Sequence, residues 1–239
     1  MAVFELFEGD SVDWLKSLDD ESVDLLITDP AYESLEKHRK RGTTTRLKKS
    51  KGSSNQWFPI FPNLRFSELF NQMYRVLKHH RHLYVMCDQE TAFYIKPIGE
   101  RTGFTFWKPI IWDKMKMGTG YHYRAQYEMI LFFEKGKRNL NSRKVRDVLR
   151  VPSLRGKDFY PTEKPIELSK VLIEQSSQPG ELVADPFMGS ASVGAAALQL
   201  GRMFKGCDIS ADSVALAETR LSETPMDFSA ASTIWDRLD

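Results

Sequence analysis

The stretch "ELVADPFMGSASVGAAALQLGRMFKGCD", Glu181–Asp208, decides the fold. It opens with an apolar run of strand length, Glu181–Asp185, and closes with another, Met203–Asp208. Between them Ala191–Leu200 reads as a helix. The turn into that helix carries Gly189, and Gly194 follows in its first turn. Glycine permits close backbone approach, and a helix start offers free N–H groups. No Gly-Lys-Ser/Thr follows, so this is not a phosphate-cradling Walker loop, and Gly-x-Gly-x-x-Gly is absent. The turn suits a small anionic group such as a carboxylate.

The same alternation extends outward. Strand-length runs recur at Val3–Phe7, Val23–Thr28, His82–Cys87, Thr105–Trp112 and Tyr127–Phe133. Helical stretches separate most of them: Asp13–Leu18, Leu64–His79, Gln89–Arg101, Pro165–Gln175 and Ala211–Leu221. In "NLRFSELFNQMYRVL", Leu64, Phe66, Leu69, Phe70, Met73 and Leu77 fall at helical spacing. Strand–helix alternation predicts an α/β fold: about seven strands, mainly parallel, with helices on both faces. Its 239 residues suit one domain, residues 1–239, with two inserts at 33–62 and 135–158.

Those inserts hold much of the positive charge. Residues 37–51 contain eight Lys/Arg and no acid, and 135–157 contain nine with one acid, Asp147. The net charge of +2 therefore conceals an acidic body with two basic segments, which predicts a polyanion partner. Lys37, Arg39, Lys40, Arg41, Arg46, Lys48 and Lys49 in the first insert, and Arg143, Lys144 and Arg146 in the second, are the phosphate-contact candidates. No apolar run approaches the ~20 residues that cross a bilayer. The N-terminus has no secretory pattern, and Cys87 and Cys207 lack partners at metal-ligand spacing. A cytoplasmic protein without membrane contact or metal is expected.

In doubly wound sheets, ligands bind beyond the carboxyl ends of the strands. Acids stand just after four of the runs: Asp10, Asp29, Asp185 and Asp208. Each alone is an ordinary strand-end or helix-cap residue; together they form a site. Asp208 is placed to accept hydrogen bonds from two ribose hydroxyls. A nucleoside ligand without a phosphate cradle follows, and S-adenosylmethionine fits that description.

Five segments resemble the amino-group DNA methyltransferases. "TDPAY" (Thr28–Tyr32) is similar to their Asp-Pro-Pro-Tyr catalytic motif, and "DPFMGSAS" (Asp185–Ser192) to their Asp-Pro-Phe-Met-Gly-Ser-Gly-Thr cofactor loop. "YPTEKP" resembles their His-Pro-Thr-Gln-Lys-Pro segment. "YRVLKHHRHLYVMCD" and "RAQYEMILFFEK" resemble two further conserved-type stretches. The catalytic motif precedes the cofactor loop, the permuted order of the β group. The chain departs from the pattern at Ala31 (a second proline in the family), at Ser190-Ala191-Ser192 (Ser-Gly-Thr), at Asp208 (more often Glu) and at His79-His80 (Pro-Gly).

The resemblance implies a Rossmann-like methyltransferase fold, S-adenosylmethionine as cofactor, and double-stranded DNA as partner; β-group enzymes often form homodimers. It implies that Asp29 and the Pro30 carbonyl accept hydrogen bonds from the exocyclic amine of a flipped adenine while Tyr32 stacks on the base. Asp10 and Ser11 would read the cofactor adenine. Asp208 would hold the ribose. Phe187, Gly189, Ser190 and Ser192 would line the methionine portion, Asp185 would belong to the same cofactor site, and Lys164 would pair with the cofactor carboxylate. The 135–158 insert stands where the β group reads its target. At that length it predicts a short or relaxed recognition sequence. Cytosine-N4 or RNA amino-methylation, and a catalytically silent nucleic-acid-binding module, stay open at this point.

Overall fold

Strand β2 (Val23–Thr28) shows how the chain is sorted into two cores. Its side chains alternate across the sheet, as the pleat requires. Leu26 packs in one buried cluster, and Leu25 and Ile27 pack in the other. The computed structural model describes residues 3–34, 59–118, 122–154 and 163–227. Besides β2, the strands are β1 (Phe4–Glu8), β3 (Leu77–Cys87), β4 (Thr105–Asp113), β5 (Tyr127–Lys135), β6 (Val148–Arg150), β7 (Leu182–Asp185) and β8 (Met203–Asp208). The helices are α1 (Ser11–Ser17), α2 (Phe66–Val76), α3 (Gln89–Thr102), α4 (Ile166–Ser176), α5 (Ser192–Gln199) and α6 (Ala211–Glu223).

The sheet has eight strands in the order β1-β8-β7-β2-β3-β5-β4-β6. β5 is antiparallel to both neighbours, while every other pairing is parallel. One face is covered by α1, α2 and α3 through Leu15, Phe66, Phe70 and Ile95, and the other by α4, α5 and α6 through Leu172, Ala196 and Leu221. The chain winds away from β2 on one side and from β7 on the other, so the topological switch lies between those two strands. In such sheets a crevice opens there, beyond the carboxyl ends. Among the described residues no helix is long and apolar enough to cross a membrane.

Two expectations change. First, the eighth strand lies inside the 135–158 insert: β6 pairs in parallel with β4, and the Trp112 indole donates to the Val151 carbonyl at 2.7 Å. The same insert is tied to α4, where the Asn141 N–H donates to the Gln175 carbonyl at 2.9 Å. Leu149 and Val151 give that short segment a buried anchor, a signal too brief to stand out among its charges. Second, β3 begins at Leu77 and runs through His79-His80. His80 adopts a φ of +60°, the left-handed region a glycine occupies without strain. Its ring compensates by accepting the Lys137 N–H at 3.0 Å.

Candidate active site

The cavity at the switch point has a volume of about 510 Å³ and is lined from every parallel strand end nearby. All twelve catalytic and cofactor candidates from the sequence reach it: Asp10, Ser11, Asp29, Pro30, Tyr32, Lys164, Asp185, Phe187, Gly189, Ser190, Ser192 and Asp208. Arg143, Lys144 and Arg146 are exposed on the second insert and do not line it. Lys37, Arg39, Lys40, Arg41, Arg46, Lys48 and Lys49 lie outside the described residues.

The wall after β7 is built by a tight turn. Asp185 is buried and accepts the Phe187 N–H at 3.0 Å. Gly189 takes φ +51° and Ala191 φ +55°. Both left-handed positions are needed to turn the strand into α5, and Ala191 bears that conformation with a Cβ, at a cost of about 1–2 kcal/mol. The Gly189 N–H donates to Asp208 Oδ2 at 3.0 Å, and Asp208 Oδ1 accepts the Ser210 N–H at 2.9 Å. Burial raises the Asp208 carboxyl above its ordinary value against those bonds. Asp208 lines the cavity beside Gly189 and Ile209.

Asp185 gives a pH test. Burial, aided by Asp29 and Asp208, pushes its carboxyl up to about 7. A carboxyl raised on folding favours the native state at low pH, and that contribution is lost as pH rises through about 7. Asp185→Asn carries no charge at any pH. Its melting temperature relative to the wild type should therefore be higher at pH 8 than at pH 5.5 by several degrees, on the order of 2 kcal/mol at about 2–4 °C each. A difference independent of pH would remove the argument.

At the opposite end, Asp10 caps α1, accepting the Val12 and Asp13 N–H groups at 3.0 and 3.2 Å. Arg65 closes on the same carboxylate through two bonds of 2.6 and 2.8 Å and holds its pKa below the usual range. Oδ1 is thereby saturated. The open polar group is instead the Ser11 hydroxyl, which is buried at the cavity and has no hydrogen-bond partner among the described residues.

The catalytic-motif wall carries a chain of charged groups. Lys164 does not stand free: its ammonium donates to Asp29 Oδ2 and lies 3.5 Å from Glu128 Oε2. Glu128 in turn accepts from Lys114. Burial raises the Asp29 carboxyl against the pull of Lys164, whereas the two lysines hold Glu128 low in spite of its burial. The reason is topological. β5 runs backwards, so its first residues, not its last, arrive at the ligand edge. Tyr32 is 8% exposed, packs in the core cluster with Phe61, and lines the cavity. The Phe61 N–H donates to the Ala31 carbonyl at 2.7 Å, fixing this turn without a second proline.

Residues 23–219 match the family model described as DNA methylase, N6/N4 type. The chain belongs to this DNA methylase family. The methylase is 29% identical over 254 residues to the DNA adenine methyltransferase YhdJ of Escherichia coli K12, covering 90% of this chain and 82% of that one. It is 28% identical over 253 residues to the type II methyltransferase M.HpaI of Haemophilus parainfluenzae, covering 94% and 75%. In fold it is similar to the PvuII DNA methyltransferase, a cytosine-N4-specific enzyme, with TM-score 0.69 at 15% identity over 100% of this methylase and 93% of that chain.

Proposed function

We propose that the methylase transfers a methyl group from S-adenosylmethionine to the exocyclic amine of an adenine flipped out of double-stranded DNA, within the cytoplasm. One observation carries this reading: the Asp29–Tyr32 turn and the Gly189–Asp208 wall face each other across a single cavity. The residues fit the cofactor. Asp208 would hold the ribose, the unpartnered Ser11 hydroxyl the adenine, and the turn of Phe187, Gly189, Ser190 and Ser192 the methionine end. Bound there, S-adenosylmethionine supplies an electrophilic methyl group on a sulfonium centre.

The chain must make a poor nucleophile attack. The amine lone pair of adenine is delocalised into the ring. The Asp29 carboxylate and the Pro30 carbonyl accept its two N–H bonds, drawing the nitrogen towards tetrahedral geometry and aiming its lone pair. The gain is orientation and electrostatics. Asp29 has no need to take a proton first, because the methylated nitrogen is acidic enough to lose it afterwards. Tyr32 offers the base a ring face worth about 1–3 kcal/mol. Arg143, Lys144 and Arg146 supply part of the phosphate field.

Incubation with labelled S-adenosylmethionine and duplex DNA, followed by digestion to nucleosides, should yield N6-methyldeoxyadenosine. Label on cytosine, or none on DNA, overturns the proposal. The second insert also limits sequence reading. Its Val148–Arg150 segment is committed to the sheet, which leaves few side chains for base edges. Each good bidentate contact discriminates by about 1–3 kcal/mol. Modification of many unrelated adenine contexts is therefore expected when the product is sequenced. Strict dependence on a six-base site, on the order of six specific readings, would contradict it.

A further inference from the structure

We propose that Lys164, clamped between Asp29 and Glu128, is a positioning residue that holds Asp29 as an ionised acceptor for the target amine and does not serve the cofactor carboxylate. The inference rests on the methylation reading above for the amine, but the clamp is visible without it. Four charged side chains alternate in sign along the cavity wall: Asp29, Lys164, Glu128 and Lys114. They come from four places in the fold: the turn after β2, the segment before α4, the start of β5 and the residue just after β4. Lys114 is also anchored, with its ammonium 5.2 Å from the centre of the Trp112 ring.

Lys164 stands two residues before α4, where a helix dipole disfavours a cation. Two carboxylates offset that disadvantage. Its side chain is only 12% exposed, so its ammonium is held mainly by carboxylates rather than by water. Turning it towards a cofactor would leave Asp29 and Glu128, two half-buried acids, facing one another. The groups around Asp29 divide by sign. Lys164 and Lys114 favour its ionised form, and Glu128 opposes it. Asp185, at the end of β7, adds a further acid nearby. Tyr32 and Cys87 also face it, and both are held neutral by burial and by these acids.

This arrangement makes two opposite predictions. Removing Lys164 should make Asp29 harder to ionise, whereas neutralising Glu128 should make it easier. The test is carbon-13 NMR titration of the full chain carrying carboxyl-labelled aspartate, with Asp29→Asn assigning the resonance. Lys164→Met should displace the Asp29 midpoint upward by about 1–3 pH units, as expected for loss of an adjacent opposite charge. Lys164→Arg should restore most of it, and Glu128→Gln should move it downward. The acid limb of single-turnover DNA methylation should follow the same directions, with S-adenosylmethionine affinity preserved.

An Asp29 midpoint indifferent to Lys164→Met overturns the proposal. So does an S-adenosylmethionine affinity weakened by about tenfold or more with the midpoint unmoved, because Lys164 would then serve the cofactor. If Lys164→Met fails to fold, Glu128→Gln and Lys164→Arg decide through the sign of the shift and its retention. Failure of the methylation reading looks different: the wild type modifies no adenine in DNA at any pH, while the titration still reports on the clamp.

Discussion

Asp29→Ala leaves the fold and cofactor affinity in place and lowers the methyl-transfer rate by at least about 10²–10³-fold, the loss typical when one preorganised electrostatic contact to a transition state is removed. Stability should hold because Asp29 lies in a turn after β2 and is part-exposed, so its loss opens no cavity in either core. Nor does it strand a buried ammonium, since Lys164 remains 3.5 Å from Glu128. Asp29→Asn separates geometry from charge. It keeps an acceptor oxygen of similar reach, yet presents an NH₂ that can face the target amine donor to donor. Its rate should fall between those of the wild type and Asp29→Ala. Single-turnover rates, with cofactor affinity measured by calorimetry, decide the matter. A rate for Asp29→Ala within tenfold of the wild type, a deficit of about 1.4 kcal/mol, would leave Asp29 without the assigned role.

What could be read from the chain beforehand follows from how the sheet is wired. Acids after β1, β2, β7 and β8 were legible because parallel strands all deliver their carboxyl ends to the same edge. Glu128 escaped that rule. It sits at the start of β5, and only an antiparallel strand brings its beginning to the site. Lys114 follows from the same reversal: it comes just after the end of β4, two residues past Trp112, which stands opposite Glu128 across the β4–β5 pair. Arg65 was hidden for another reason. It precedes α2 by one residue, and only the packing of α2 against α1 brings its guanidinium to Asp10. Lys164 was legible as a site residue, but its contact with Asp29 was not, because sequence order places it beside α4 and says nothing of Asp29, 135 positions away. The strand within the second insert was masked by composition: three residues in a basic stretch carry no periodicity to detect.

Phe204→Ala is expected to cost about 3–5 kcal/mol, the usual range for deleting a buried aromatic ring. In a domain with total stability of about 5–15 kcal/mol this is a large fraction. At about 2–4 °C per kcal/mol for this size it lowers the melting temperature by roughly 6–20 °C. The ring is fully buried on β8 and fills the space between β8 and α5. Two glycines leave room for it. A Cβ at Gly194 would come within 2.7 Å of the ring, and one at Gly206 within 2.7 Å of it and 2.4 Å of the Met188 sulfur. The dependence is reciprocal, so a double-mutant cycle should change sign. Gly194→Ala in the wild type overpacks the ring by about 1–3 kcal/mol. In the Phe204→Ala background the same methyl fills vacated space and gains about 1 kcal/mol of helix propensity, so it should stabilise. The effect reaches the cavity because β8 ends in Asp208, which accepts the Gly189 N–H across the turn before α5. Loosening this contact should weaken S-adenosylmethionine binding in Phe204→Ala more than in Phe204→Leu, which keeps most of the apolar volume. Additive melting shifts across the cycle would mean that the ring does not set the α5–β8 spacing, and the glycines would then need another explanation.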